Sequence, residues 1–172
     1  RDFAIMLHEW FIPIGAKTPD PMVMLDFNYF TFNSTLFPKT APLVVKKGQK
    51  VRLRFGNLSM DSHPIHLHGY EFTHVAAGGP RMPRTAQYEL NTINVPVGAT
   101  ETVEFIADAP GDWALHCHKS HHVMNGMEHK IPNLIGTNPS ITEKEIQEFF
   151  PDYMPMGSTG MGEMFEMSHM MQ

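Results

Sequence analysis

The sequence predicts an all-β protein, either a sandwich or a barrel of short strands. Val51–Phe55 alternates apolar and polar residues as a half-buried strand does, and Thr100–Phe105 repeats the pattern. Turn residues such as Gly56-Asn57 and Pro110-Gly111-Asp112 separate the apolar segments at short intervals. Many short strands divided by such turns are typical of antiparallel sandwiches and barrels.

The strands can be assigned in chain order. Phe3–Ile12 is dense in apolar residues and predicts a short strand, which Gly15 and Pro19 end in a loop. We interpret residues 1–24 as a linker or the end of a preceding domain, and the start at Arg1, without a leader, as the sign of a processed product. Further strands are predicted at Asn28–Asn33, Pro42–Val45, Lys50–Phe55, Ile65–His74, Thr92–Val95, Thr100–Ala107 and Trp113–His118.

The last part of the chain differs from these strands. Ser140 and Glu143 form a capping box, and the apolar residues that follow predict a short helix ending before Pro151. Residues 153–172 then contain seven of the fourteen methionines among Gly, Ser, Pro and Glu, which indicates low complexity. We therefore expect a helical extension and a methionine-rich tail at 137–172.

Composition narrows the classes of function. The formal net charge is -5 at pH 7 and no basic run is present, so nothing in the sequence favours nucleic acid or an anionic membrane surface as a partner. No stretch of about 18 apolar residues is present, so no membrane span is predicted. Cys117 is the only cysteine, which excludes an internal disulfide.

The segment around this cysteine predicts a metal site. Residues 115–127 read Leu-His-Cys-His-Lys-Ser-His-His-Val-Met-Asn-Gly-Met. A thiolate, two imidazoles and a weak axial thioether are the ligands of a blue copper site. Cys117 and His122 are the predicted strong ligands and Met127 the weak one. The second imidazole is expected from His63.

Strand alternation predicts a second set of ligands. Because successive side chains of a strand point to opposite faces, a Cys117 directed into the sandwich turns His116 and His118 the other way. His66 and His68 are also two residues apart and would share a face.

His63 is expected to be set apart from this pair by a turn at Pro64. The pattern thus predicts one complete copper site and half of a second cluster. The ligands of the copper site are His63, Cys117, His122 and Met127, and those of the half cluster are His66, His68, His116 and His118.

Together these two motifs resemble the C-terminal cupredoxin domain of multicopper oxidases, of the copper-resistance or laccase-like type. The resemblance rests on the spacing His63-x-x-His66-x-His68-Gly69 and His116-Cys117-His118-x-x-x-His122 followed by Gly126-Met127. It implies a Greek-key cupredoxin β-sandwich over residues 25–136. It also selects His122 over its neighbour His121, and Met127 over the alternative axial ligand Met124.

The resemblance implies an activity and its cofactors. A type 1 copper would accept electrons from a reducing substrate, and a trinuclear copper cluster would reduce dioxygen to water. By position His66 resembles a type 2 ligand, while His68, His116 and His118 resemble type 3 ligands. Electrons would enter at His122 and pass through Cys117 to the cluster.

The resemblance also implies partners. The other four cluster histidines sit on an N-terminal cupredoxin domain in the family, and this sequence has no further His-x-His pair. Val123 replaces a glutamate that many bacterial members carry, so no proton route is assigned. The expected substrate is Cu(I), another low-valent metal or a phenol. Met127 resembles the axial ligand of members with a moderate potential, and the expected location is periplasmic or extracellular.

Two other functions compete with this interpretation. A stand-alone blue copper protein would transfer electrons or carry copper, but it has no use for His-x-His pairs on both strands. A copper nitrite reductase lacks the second histidine of the His116-Cys117-His118 motif. The methionine-rich tail is either a disordered end or a segment that gathers Cu(I), because soft thioethers prefer the cuprous ion.

Overall fold

Two β-sheets form the framework of the described chain. The computed structural model describes residues 1–13, 15–37, 39–119, 122 and 148. Its strands are β1 (Asp2–Trp10), β2 (Tyr29–Phe32), β3 (Lys50–Asn57), β4 (His63–Leu67), β5 (Phe72–Ala77), β6 (Tyr88–Leu90), β7 (Thr92–Val95), β8 (Thr100–Ile106) and β9 (Leu115–Cys117). None of the described residues belongs to a helix that is long and apolar enough to cross a membrane.

The larger sheet has six strands and the smaller has three. The order in the larger sheet is β2-β1-β3-β8-β5-β6, in which β1 runs parallel to β3 and the pairs β3-β8, β8-β5 and β5-β6 are antiparallel. In the smaller sheet β4 lies between β7 and β9 and is antiparallel to both. The smaller sheet carries four of the predicted ligands, His63, His66, His116 and Cys117.

Each sheet buries one face in a shared hydrophobic core. In β3 the apolar residues Val51, Leu53 and Phe55 are at most 2 % exposed, as the alternating pattern predicts. Residues from both sheets form one cluster, which contains Ile5, Leu7, Val51, Leu53, Phe55, Phe72 and Val103 from the larger sheet and Ile65, Leu67, Ile93, Val95 and Cys117 from the smaller. The predicted all-β sandwich is therefore confirmed.

Strand β1 is part of this sandwich. It pairs in register with β3 from Asp2↔Arg52 to Leu7↔Asn57, and Ile5 and Leu7 are buried in the common core. One face of β1 is therefore covered by the same core as its neighbours.

Two predictions about strands were wrong, and one strand was missed. Ile65–His74 is two strands, β4 and β5, because the chain turns between them at Gly69, whose φ is +71°. A side chain at Gly69 would collide with the Trp113 ring, so this turn requires glycine. Pro42–Val45 is not a strand, and Tyr88–Leu90 is one that was not predicted.

The turn expected at Pro64 is also absent. β4 begins at His63 and continues through Pro64, whose carbonyl accepts a hydrogen bond from the His118 amide at 2.6 Å. A proline is tolerated at this position near the start of the strand, where the hydrogen bond from His118, the residue after β9, uses only its carbonyl.

The chain divides into two compact units. The first, Arg1–Glu9 with Phe30–Lys119, contains the core described above, and the second comprises Trp10–Tyr29 and the residues from 120 onward. In the second unit the Asn28 amide group accepts a bond from the Ile12 N–H and donates to the Ile12 carbonyl, each at 2.9 Å.

The predicted helix and the methionine-rich tail lie outside the described residues, apart from Glu148, which is helical and exposed.

A cluster of charges stabilises the larger sheet. The buried Glu104 carboxylate on β8 accepts hydrogen bonds from Arg81 at 3.0 and 3.1 Å and from Arg52 at 2.8 Å, and forms an ion pair with Lys50 at 2.7 Å. These cations, with Arg81 first, hold the pKa of Glu104 well below its usual range. Glu104 is therefore ionised in the folded protein.

Candidate metal centre

Strand β4 sorts the histidines of its motif onto two faces. His63, Ile65 and Leu67 are buried on the core side, while Pro64 and His66 alternate with them on the other side. The period of two residues therefore separates His63 from His66 without any turn.

Strand β9 divides its motif in the same way. Cys117 pairs with Ile65 and is buried, whereas His116 pairs with His66 and is only half-buried. Because paired residues of neighbouring strands point to the same face, Cys117 joins the face of His63 and His116 joins that of His66.

His63 and Cys117 form a buried pair. The Cys117 Sγ lies 3.8 Å from the His63 Nδ1, and the two residues are 6 % and 3 % exposed respectively. Two donors bonded to one ion at about 2.0 and 2.3 Å with an angle of about 120° are about 3.7 Å apart. The pair therefore has the separation that a shared trigonal metal ion requires.

Burial keeps both groups neutral when no metal is bound. Burial first, and then the nearby Lys119 cation, lowers the pKa of His63 to about 4. Burial raises the pKa of the Cys117 thiol to about 11. A neutral imidazole is ready to ligate, and the thiol gives up its proton when a metal ion binds.

The other ring nitrogen of His63 is held by polar residues. Its Nε2 lies 2.6 Å from the Ser59 Oγ, which lies 2.6 Å from the Asn57 Oδ1. The carboxylate of the buried Glu9 lies 3.5 Å from the same Nε2, and burial raises the pKa of Glu9.

Four imidazole rings lie together on the opposite face. The His66 ring centroid is 4.9 Å from that of His68 and 5.5 Å from those of His116 and His118. The Nε2 atoms of His68 and His116 are 3.0 Å apart, which is close to the separation of roughly 3 Å expected for two nitrogens that share one metal ion. The four histidines of the predicted half cluster therefore lie next to one another in the structure.

Backbone and hydroxyl groups orient two of these rings. The His66 Nδ1 lies 2.9 Å from both the Asn91 carbonyl and the Thr92 Oγ1, and the His116 Nδ1 lies 3.0 Å from the Cys117 carbonyl. Since a carbonyl only accepts, both Nδ1 atoms carry the proton, and both Nε2 atoms keep a lone pair for a metal.

Burial lowers the pKa of His116 and, together with the neighbouring imidazoles, that of His68.

The donors on the two faces suit different metal environments. The buried face combines a sulfur and an imidazole, which suits copper that cycles between two oxidation states. The outer face offers imidazoles alone, which suits copper, zinc, iron or nickel. The residues present therefore fit copper at both sites.

Comparison with known proteins decides the family. A sequence model of the multicopper oxidases matches residues 13–135. This chain belongs to the multicopper oxidase family. Laccase-5 of Arabidopsis thaliana is 34% identical over 142 residues, covering 72% of this chain and 24% of the laccase. Copper resistance protein A of Escherichia coli is 36% identical, covering 59% of this chain and 16% of that protein.

Solved structures of multicopper oxidases share the fold. The blue copper oxidase from Nitrosomonas europaea is similar with a TM-score of 0.64 and 31% identity, over 73% of this chain and 39% of that one. The multicopper oxidase mgLAC gives a TM-score of 0.65 and 31% identity, over 74% and 40% of the two chains. The match thus spans less than half of each of these relatives.

The remaining predicted ligands of this multicopper oxidase chain lie in the second unit. His122 is helical and buried. Met127 lies outside the described residues, as do its rival Met124 and the alternative histidine His121. Their roles remain predictions.

The histidines that were not assigned to copper have other surroundings. His74 lies in β5 of the larger sheet, where its Nε2 is 2.7 Å from the Glu101 carboxylate and its Nδ1 is 3.3 Å from the Tyr88 hydroxyl. His8 lies in β1 of the same sheet.

Sequence reasoning missed the residues that orient the ligands. Asn57 and Ser59 support His63, while Asn91 and Thr92 support His66. A signal exists only for Asn57 and Ser59, which lie at or just beyond the end of β3 and a few residues before His63, whereas Asn91 and Thr92 are far from His66 in sequence. Only the fold shows which ring nitrogen Ser59, Asn91 and Thr92 contact.

Proposed function

We propose that this chain forms the electron-accepting part of a copper-dependent oxidase. A reducing substrate would deliver electrons to a type 1 copper, and a trinuclear copper cluster would reduce dioxygen to water. The observation that carries the proposal is the opposite orientation of neighbouring residues, since Cys117 is buried beside His63 while His116 on the same strand joins His66 and His68.

In this proposal His63, Cys117, His122 and Met127 hold the type 1 copper. When bound, copper supplies the one-electron redox chemistry at both sites. The burial of Cys117 and His63 excludes water from the thiolate. His122 is the proposed point of electron entry.

The chain itself connects the two sites. Cys117 is joined by peptide bonds to His116 and His118, so ligands of both sites share one short covalent path. A storage protein has no need of such a path. This arrangement therefore favours electron transfer from the buried site to the histidine face.

Four of the cluster ligands are proposed to be His66, His68, His116 and His118. His68 and His118 are exposed, so this face is open to ligands from elsewhere. We propose that an N-terminal cupredoxin domain, on the same polypeptide or another, supplies the remaining four histidines.

The substrate class and location follow the relatives. We propose Cu(I), another low-valent metal or a phenol as substrate, by similarity to proteins named as laccases and copper resistance protein A. Many such enzymes work outside the cytosol, so a periplasmic or extracellular location is proposed.

A copper-loaded sample with a histidine variant tests the proposal. In the complete oxidase, His116→Gln is expected to abolish oxygen consumption while the thiolate–copper absorption stays, because only the histidine face loses a ligand. Absorption, electron paramagnetic resonance and oxygen uptake are measured together. His74→Gln is the control, because His74 lies in the other sheet and both signals should remain.

Three outcomes would contradict the proposal. A copper-loaded wild-type sample without a thiolate band would remove the type 1 assignment. Full oxygen consumption by His116→Gln would remove the cluster assignment, whereas a copper-loaded wild-type oxidase with a thiolate band but no oxygen consumption would favour a stand-alone blue copper protein.

A further inference from the structure

A chain of polar groups stands behind His63, on the side away from Cys117. The His63 Nδ1 faces the sulfur, and its Nε2 lies 2.6 Å from the Ser59 Oγ. Ser59 in turn contacts the Asn57 side chain. All three residues are buried, with Asn57 only 1 % exposed, so water does not compete for these hydrogen bonds.

The orientation of the Asn57 amide is fixed by its partners. Its Nδ2 donates to the Val95 carbonyl at 2.9 Å and to the Asp61 carbonyl at 2.7 Å. Its Oδ1 accepts from the Ser59 backbone N–H at 2.9 Å. A flipped amide would place oxygen against two carbonyls and nitrogen against an N–H, so only the first orientation is consistent.

This orientation determines where the Ser59 hydroxyl proton lies. The Ser59 Oγ is 2.6 Å from the Asn57 Oδ1, and an amide oxygen carries no proton. Two oxygens at this distance require a hydrogen between them, so the hydroxyl donates to Asn57 rather than to the more distant Asp61 carbonyl at 3.2 Å.

The tautomer of His63 follows from this assignment. Since the single hydroxyl proton of Ser59 is used, its oxygen accepts from His63, whose Nε2 must carry a proton. The Glu9 carboxylate 3.5 Å from Nε2 also favours a proton there, although it is too distant for a good hydrogen bond. A neutral imidazole protonated at Nε2 keeps its lone pair on Nδ1, facing Cys117.

We propose that Ser59 and Asn57 are positioning residues that fix His63 in the tautomer able to bind copper through Nδ1. The inference rests on the proposed function for the identity of the metal. An N–H that donates to an acceptor makes its imidazole a stronger ligand, and loss of such a partner costs about 10- to 100-fold in metal affinity. Cu(II) gains more than Cu(I) from a stronger nitrogen ligand, so the network lowers the reduction potential.

The test compares wild-type protein with Ser59→Ala. In metal-free wild-type protein, ¹⁵N NMR of the imidazole is expected to show the His63 proton on Nε2, and Ser59→Ala is expected to lose this preference. Copper titration should show Cu(II) affinity falling by about 10- to 100-fold. If Cu(I) affinity falls tenfold less than Cu(II) affinity, the reduction potential rises by about 59 mV.

Two further variants separate positioning from general stability. Ser59→Thr keeps the hydroxyl and is expected to restore the wild-type tautomer and absorption. Thr31→Val removes another buried hydroxyl, on β2 of the larger sheet, and should lower stability without changing the copper spectrum. Thermal unfolding of each variant measures the stability separately.

The outcomes distinguish this inference from the proposed function. A wild-type protein with the His63 proton on Nδ1 overturns the inference even if Ser59→Ala fails to fold. A thiolate band and Cu(II) affinity unchanged by Ser59→Ala also overturn it, while the proposed function stands. A wild-type protein that shows no thiolate band contradicts the proposed function instead.

Discussion

The two faces of the three-stranded sheet carry the proposed ligands in opposite surroundings. On the core face His63 and Cys117 are buried, and His63 is backed by Ser59. On the outer face the histidines are half-buried or exposed, and their rings face one another. Both sets come from β4 and β9 and their immediate neighbours in sequence. The comparison teaches that a period of two residues is enough to build two chemically different sites from one pair of strands.

The difference in burial has a functional meaning. The surroundings of a buried thiolate shield it from water, which suits the proposed electron-transfer site. An exposed set of imidazoles cannot enclose an ion by itself, because its outer side is open. The described ligand pair of the core face is therefore enclosed by this chain, while the outer face is open to further ligands.

Cys117→Ser is expected to have the largest effect on this comparison. Loss of the sulfur should abolish the thiolate–copper absorption completely, because Cys117 is the only cysteine. The outer face should still bind metal, since none of its rings is altered. Absorption and electron paramagnetic resonance of the copper-loaded variant check both statements. A residual thiolate band, or loss of metal from both faces, would break the separation of the two sites.

Glu104→Gln is expected to affect stability while leaving both faces unchanged. The substitution removes the charge that the buried carboxylate shares with Arg81, Arg52 and Lys50, and should cost about 1–3 kcal/mol at pH 7, less than a fully buried pair because the cations are partly exposed. Glu89→Gln, on the exposed side of β6, is the matched control. A shift of the copper absorption in Glu104→Gln would show that the sheets are not independent.

The pH dependence of this contribution has a definite sign. The folded pKa of Glu104 lies below its unfolded value of about 4.3, so the stabilisation is fully present above that value and is lost as the pH falls through the folded pKa. Urea unfolding of wild-type protein between pH 7 and about pH 3 should therefore show a steeper loss than Glu104→Gln. Equal slopes would contradict this assignment.

The sequence predicts the ligand faces because alternation is a local property. Nothing beyond residue parity is needed to place Cys117 opposite His116. We predicted a turn at Pro64 because proline usually interrupts strands. The prediction was wrong because the strand uses the Pro64 carbonyl and does not require the missing N–H. The place of β1 beside β3 could not be predicted, because parallel pairing depends on contacts far apart in sequence.

The hydrogen-bond partners of the proposed ligands could not be predicted from the sequence either. Ser59 and Asn57 are ordinary turn residues in the sequence, and their role depends on where the chain after β3 folds against Val95 of β7. Orientation of a ring nitrogen is a tertiary property. The sequence therefore predicts which residues are ligands more readily than which atoms bind.

Thr92→Val is expected to have the smallest effect of these variants, and it tests how the histidines of the outer face are oriented. The change keeps the shape of the side chain but removes the hydroxyl that accepts a bond from the His66 Nδ1, while the Asn91 carbonyl still accepts one. The metal affinity of the outer face should fall by about two- to fivefold, less than the roughly 10-fold expected when a ligand loses its only partner. Zn²⁺ titration in the Cys117→Ser background measures this face alone. A loss above about 10-fold would mean that the hydroxyl, and not the carbonyl, orients His66. A change in the thiolate band of Thr92→Val alone would mean that the two faces are coupled through β7.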